Sequence, residues 1–255
     1  YILSFDVIKK YWDLLKFGIP FVPSYAFLYL MNTSDRWFIF HYHGLISTGI
    51  FSVGAKVIML ITSVVTIFRT AWLPISMEAI ESKFGDRFFR QVSRIYWLIA
   101  LSLMMTYILF SKFIVQIIAP SQYSDAWLIA SILVWQPLFF GYFLIASIGI
   151  WRSKKTHLFI YISIFSSIVG FVLNYLLVPD YSIVGASIAT SLTFLFWIIS
   201  TLLISEKIWA IGLLNKIFIL QILLGVSSTI LLILNLEKSF INAFFIFIAC
   251  LVINI

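Results

Sequence analysis

Apolar runs close to 20 residues long recur along nearly the whole of this 255-residue sequence, most of them closed by a proline or a short polar turn. A run of about 20 apolar residues suits a helix crossing a hydrocarbon core of about 30 Å. In hydrocarbon the backbone must satisfy its own hydrogen bonds, which leaves helices or a closed β-barrel. Barrel strands need short segments of alternating polarity, and these runs are continuous. Composition agrees: 62% of residues are hydrophobic and 11% charged, against about 45–50% and about 25% in soluble domains. The predicted fold class is all-α, a polytopic integral membrane helical bundle with about eight transmembrane helices.

Residues 1–13 mix aromatic, apolar and basic positions and suit an interfacial or connecting segment. Spans are expected over about 14–33, 48–74, 95–119, 126–150, 157–178, 183–204 and 217–234, with an eighth starting near Phe240. The first six, within 14–205, form one unit; 206–255 adds two further helices, the last of them cut short. The sequence opens at Tyr1 without an initiator Met and ends inside an apolar run at Ile255. It reads as the C-terminal part of a longer membrane protein. Proline lacks an N–H, so Pro20 and Pro23 predict a kink in the first span and Pro137 one in the fourth. The second span is expected to end at Pro74 and the fifth at Pro179-Asp180.

Net charge is +7. In a soluble protein this would suggest nucleic acid, but here the basic residues sit at the ends of apolar runs, so no nucleic-acid partner is expected. With the chain start cytoplasmic, 12 of the 17 Lys and Arg fall on cytoplasmic segments, as the positive-inside rule requires. Over residues 76–95, Met77, Ile80, Phe84, Phe88 and Val92 recur at helical spacing, beside a basic stripe of Lys83, Arg87, Arg90 and Arg94. That pattern predicts an amphipathic helix lying on an anionic lipid surface.

Enzyme constellations are scarce. There is no Gly-rich phosphate loop, no paired carboxylate within a span and no nucleophile elbow. His41 and His43 have the i, i+2 spacing of a metal pair on a strand, but no cysteine or second carboxylate stands near them. The single cysteine, Cys250, rules out an internal disulfide framework. No enzyme activity, metal or cofactor is expected.

The sharper signal is cationic. Lys56 and Arg69 fall inside the second apolar run, and Arg36 follows Asp35 at the end of the first. A charge at the bilayer centre costs about 2.5–3.5 kcal/mol on insertion scales, which a carboxylate, a wet cavity or an anionic ligand must offset. Lys56 and Arg69 stand 13 positions apart, about 19–20 Å along a helix and about 140° apart in azimuth. They do not share one tight site but could line one tall cavity at different depths, as contacts for a phosphate or diphosphate. The alternative for both is snorkelling to the nearer interface, and for Asp35-Arg36 an interfacial ion pair or helix end.

The order of motifs adds a resemblance. The segments FGIPFVPS, NTSDRWFI, GLISTGIFSVGAKV and AWLPISME come first. Ile118-Ala119-Pro120, Ser153-Lys154-Lys155-Thr156 and the run from Leu173 to Thr190 follow in order. Over roughly residues 14–205 the chain resembles polysaccharide (O-antigen, Wzx-type) flippases of the multidrug/oligosaccharidyl-lipid/polysaccharide exporter superfamily. The resemblance implies the second lobe of a 14-helix, two-lobed transporter, plus its two extra helices. It implies alternating access that moves undecaprenyl-diphosphate-linked oligosaccharide across a bacterial or archaeal cytoplasmic membrane. It also implies partners: that lipid-linked substrate, membrane lipids, an N-terminal lobe and other polysaccharide assembly proteins. Arg36 and Lys56 fall in matching motifs and inherit a candidate diphosphate-binding role; at Arg69 the pattern has a small polar residue. A multidrug or small-molecule cation antiporter of the same superfamily is the alternative. It would need buried carboxylates, and the mid-span regions display no clear Asp or Glu. A membrane polymerase or glycosyltransferase would need acids, histidines or a sizeable outer loop.

Overall fold

The structure, a computed structural model, describes residues 12, 15, 18–82 and 84–254. The expected connecting segment over 1–13 (Trp12 apart), Lys83 of the basic stripe and the Cys250 side chain lie outside the described residues. The helices are α1 (Phe21–Val57), α2 (Met59–Glu81), α3 (Gly85–Ile118), α4 (Ala126–Leu133), α5 (Trp135–Ala146), α6 (Ile148–Ser153), α7 (Leu158–Ile208), α8 (Lys216–Lys238) and α9 (Phe240–Asn254). Among the described residues, five helical stretches are long and apolar enough to cross a membrane: Phe21–Glu81, Gly85–Ile118, Ala126–Ser153, Leu158–Ile208 and Lys216–Lys238.

Two of these stretches are far longer than one crossing. Straight helices of 61 and 51 residues would extend about 92 and 77 Å, against a hydrocarbon core of about 30 Å. Both fold back on themselves. α1 turns at Gly44, where φ is 74° and ψ is −171°, a region essentially restricted to glycine. As a result the Arg36 guanidinium lies 6.0 Å from the centre of the Phe51 ring, positions about 22 Å apart on a straight helix. α7 turns at Ser182, with φ 51° and ψ −132°. Its two arms then meet closely: a Cβ at Gly170 would stand 2.9 Å from Thr193, and one at Gly185 would collide with the Leu177 carbonyl oxygen.

The arms of α1 and α7 pack on each other, and α3 supplies the centre of the core. Its buried positions Phe89, Ser93, Trp97, Leu101 and Met104 recur along one face, as an amphipathic helix requires. Trp97 meets Tyr142 of α5, with ring centres 5.0 Å apart, and Phe218 of α8 at 5.8 Å. The turns sort to two ends. At one end His43 hydrogen-bonds the Val178 carbonyl oxygen at 2.8 Å, and Lys112 donates to the Leu236 carbonyl at 2.7 Å while lying 4.4 Å from the Trp127 ring centre. At the other end Arg90 donates to the Ile211 carbonyl at 3.1 Å, and Arg152 lies 4.0 Å from the Trp209 ring centre. The Glu206 carboxylate there accepts from the backbone N–H groups of Gly212 and Leu213.

Several sequence expectations are corrected. Leu15 and Gly18 are helical, Ile19 and Pro20 form a turn and α1 begins at Phe21, so the helical path is interrupted at Pro20; Pro23 lies in the first turn of α1, where a missing N–H has no intrahelical partner to lose. Pro74 lies inside α2, which continues to Glu81, and Pro179 lies inside α7, three residues before its turn. Pro137 stands in the first turn of α5, directly after the break at Val134, where it has no N–H to give Leu133. No separate amphipathic helix covers 76–95. The chain breaks after Glu81, and α3 runs without interruption from Gly85 to Ile118. The buried face continues through residue 95 with its period intact, so nothing ends the helix there. At 34 residues α3 rises about 51 Å. Its first turns, with exposed Arg87, Arg90 and Arg94, therefore extend beyond one hydrocarbon thickness.

Candidate functional site

The fold-back of α1 at Gly44 leaves a crevice between its first arm and the second arm that continues into α2. Two adjoining cavities occupy it. The one nearer Gly44 has a volume of about 450 Å³ and draws polar groups from three elements: Asn32, Asp35 and Arg36 from the first arm, Thr62 and Thr66 from α2, and Gln136 from α5. Asn32, Asp35 and Arg36 share a face because positions i, i+3 and i+4 of a helix do. Leu28 and Phe140 also line the second cavity, of about 270 Å³. Its walls are mostly aromatic, with Phe143, Trp151, Phe159 and Trp197, and Arg69 and Tyr25 complete the lining.

Each polar group has a definable state. The Thr62 and Thr66 hydroxyls donate to carbonyls four residues back, Ile58 and Thr62, at 3.2 and 2.8 Å, as hydroxyls in apolar helices commonly do. Their oxygens keep free lone pairs. Gln136 donates its amide N–H to the Asn32 side-chain oxygen, and Asn32 donates to the Leu28 carbonyl at 2.7 Å. Arg36 spends one N–H on the Asn32 carbonyl at 3.0 Å. Its other N–H groups are available, and the guanidinium is half-buried. Arg69 is exposed and meets the Tyr25 hydroxyl at 3.3 Å.

Of the three cations singled out in the sequence, Arg36 and Arg69 line the crevice at different depths, one per cavity. Lys56 is exposed in the last turn of α1 and lines neither cavity. Asp35 is not an interfacial ion pair or helix end, since α1 continues through it and leaves it only 2% exposed. It accepts a hydrogen bond from Asn174 of α7 at 3.0 Å, with the Thr190 hydroxyl beside it. Asn174 also donates to the Gly170 carbonyl, and its own side-chain oxygen has no hydrogen-bond partner. The sequence reading missed Asp35, Asn174, Thr190 and Gln136 as a group. Only the polar i, i+3, i+4 face of the first arm could have signalled it.

The remaining candidates stand apart. His41 stacks on Trp37 at 5.5 Å and His43 holds Val178, so the two rings serve different partners. Among the described residues no group of three or more His, Cys, Asp or Glu side chains gathers in a way that could hold a metal ion. Trp72 donates to the Leu144 carbonyl at 3.1 Å and packs as a core residue. The basic residues at Arg87, Arg90 and Arg94 belong to the end of the molecule away from Gly44.

Helix length and hydropathy together define the class: this is a multi-pass helical membrane protein. Comparison with known proteins finds neither a family model nor a curated protein that matches the chain.

Proposed function

We propose that this protein is a transporter that flips undecaprenyl-diphosphate-linked oligosaccharide, the repeat unit of an O-antigen, capsule or exopolysaccharide, across the cytoplasmic membrane of a bacterium or archaeon. The observation that carries the reading is the divided crevice. A polar cavity with Arg36 adjoins an aromatic cavity with Arg69, and both lie between two arms of apolar helix. An amphiphile with an anionic junction between sugar and hydrocarbon matches that sequence of environments. Arginine suits phosphate because its planar donors bind two oxygens at once. No bond is made or broken in such a step; the protein offers the head group a polar path. The eight crossings this reading needs are the two arms of the Phe21–Glu81 stretch, α3, the α4–α6 stretch, the two arms of α7, α8 and α9. The fold-backs at Gly44 and Ser182 support that count. The motif resemblance supports the substrate class, and supplies an N-terminal lobe, membrane lipids and other polysaccharide assembly proteins as partners.

The test is complementation by the full-length protein in cells lacking their own polysaccharide flippase, scored as surface polysaccharide at matched protein levels. Wild type restores the polymer; Arg36→Ala and Arg69→Ala do not, while Lys56→Ala does. A well-expressed wild type that restores nothing across several sugar backgrounds sinks the reading.

One observation favours a second reading, a cation-coupled antiporter of the same superfamily. Asp35 is the buried intramembrane carboxylate that such a transporter needs. With the Asn174 and Thr190 oxygens it forms an oxygen-rich cluster, with the Arg36 charge on the next residue acting on it as well.

A further inference from the structure

The two walls of the larger cavity offer donors and acceptors in comparable number. Donors are the unspent N–H groups of Arg36, the Tyr29 hydroxyl and the second amide N–H of Gln136. Acceptors are the Thr33, Thr62 and Thr66 oxygens, whose protons go to their own helices, and the Gln136 side-chain oxygen. An inorganic anion uses donors only, and a metal cation uses acceptors only. A ligand that needs both, spaced around an apolar ring face, is a polyol. The apolar part of the lining includes Phe51 and Phe140, suitable surfaces for the C–H faces of a sugar ring. At about 450 Å³ the space falls within the range of about 300–1,000 Å³ usual for small-molecule sites.

We infer that this cavity reads the saccharide, and that Gln136 and Thr62, from opposite walls, set its sugar specificity, while Arg36 holds the adjoining anion. The inference rests on the lipid-linked oligosaccharide reading and assigns a division of labour within it. Gln136 is well placed for selection because it is half-buried and oriented by its bond to Asn32. A site built to hydrogen-bond a hydroxyl leaves its polar groups unpaired when that hydroxyl is missing.

The test uses the full protein in detergent and two probes, undecaprenyl diphosphate bearing an oligosaccharide and bare undecaprenyl diphosphate. Gln136→Leu and Thr62→Val remove hydrogen bonding at nearly constant volume, and thermal unfolding of each variant checks its fold. Each variant is expected to weaken the saccharide-bearing probe about tenfold, the worth of one or two hydrogen bonds, and to leave the bare probe within about twofold. Arg36→Gln is expected to weaken both probes. If wild type binds both probes and neither variant changes their affinity ratio, the saccharide site is wrong and the transport reading stands. If wild type binds neither, both fail.

Discussion

The turn at Ser182 offers a quantitative test of the fold-back. Its φ of 51° and ψ of −132° lie near the first central position of a type II′ turn, which favours glycine. A non-glycine residue held in such a region carries about 1–3 kcal/mol of strain. Ser182→Gly removes that strain, and against it stands the extra chain entropy glycine loses on folding, about 0.5–1 kcal/mol. The net expectation is a gain of about 1 kcal/mol, or about 2–4 °C in unfolding midpoint for a chain of this size. Ser182→Ala keeps the strain and is the control for the hydroxyl. Gly44→Ala is the mirror experiment. A Cβ there meets no atom within 4 Å, so any loss reports the backbone alone, at about 1–3 kcal/mol for φ 74° and ψ −171°. Midpoints measured in one detergent, with all four proteins at one concentration, decide the matter. A Ser182→Gly midpoint at or below wild type, together with a harmless Gly44→Ala, would refute folding back at these two positions.

The packing of the hairpins gives two more tests. Gly185→Val places its side chain against the Leu177 carbonyl and is expected to cost about 1–3 kcal/mol by overpacking, read as a lower unfolding midpoint. Lys112→Met keeps the length of the stem but loses the charged bond to the Leu236 carbonyl and the contact with Trp127. It is expected to cost about 1.5–3 kcal/mol, seen as faster hydrogen exchange in α8 and α9 before the rest of the chain opens.

The periodic parts of this fold were legible in the sequence, and so were the regions of its reversals: Gly44 falls in the gap between the spans expected at 14–33 and 48–74, and Ser182 in that between 157–178 and 183–204. Runs of apolar residues mark helices because hydrocarbon admits little else. Proline was the expected stop at two further points, yet Pro74 and Pro179 lie inside helices. What residue type did not mark is the exact turning position at Ser182, set by backbone dihedrals that a serine does not advertise. The site divides in the same way. Asn32, Asp35 and Arg36 share a helix face by their spacing alone. Gln136 and Asn174 reach them from 104 and 139 positions away, and no local pattern encodes that meeting. The motif resemblance favoured Lys56 over Arg69 as a cavity cation, whereas Arg69 lines the crevice and Lys56 does not. Which of them meets the crevice depends on how the second arm is rotated against the first, and packing fixes that rotation.

The antiporter reading turns on Asp35. Burying an ionised carboxylate is costly, and hydrogen-bond donors together with the neighbouring Arg36 charge offset only part of the cost. Asn174 donates to Asp35, and its own side-chain oxygen is buried without a hydrogen-bond partner. Asp35→Asn keeps the shape and a hydrogen bond to Asn174 while removing the charge, so the fold is expected to survive with its unfolding midpoint within about 2 °C, under 1 kcal/mol for a chain of this length. Transport measured in vesicles under imposed sodium and proton gradients then separates the two functional readings. If wild-type transport follows one of these gradients and Asp35→Asn no longer responds, the carboxylate couples an ion to movement of the substrate. If wild type and variant move substrate equally whatever the gradient, Asp35 is a structural clasp between α1 and α7, and the antiporter reading loses the one residue that supports it.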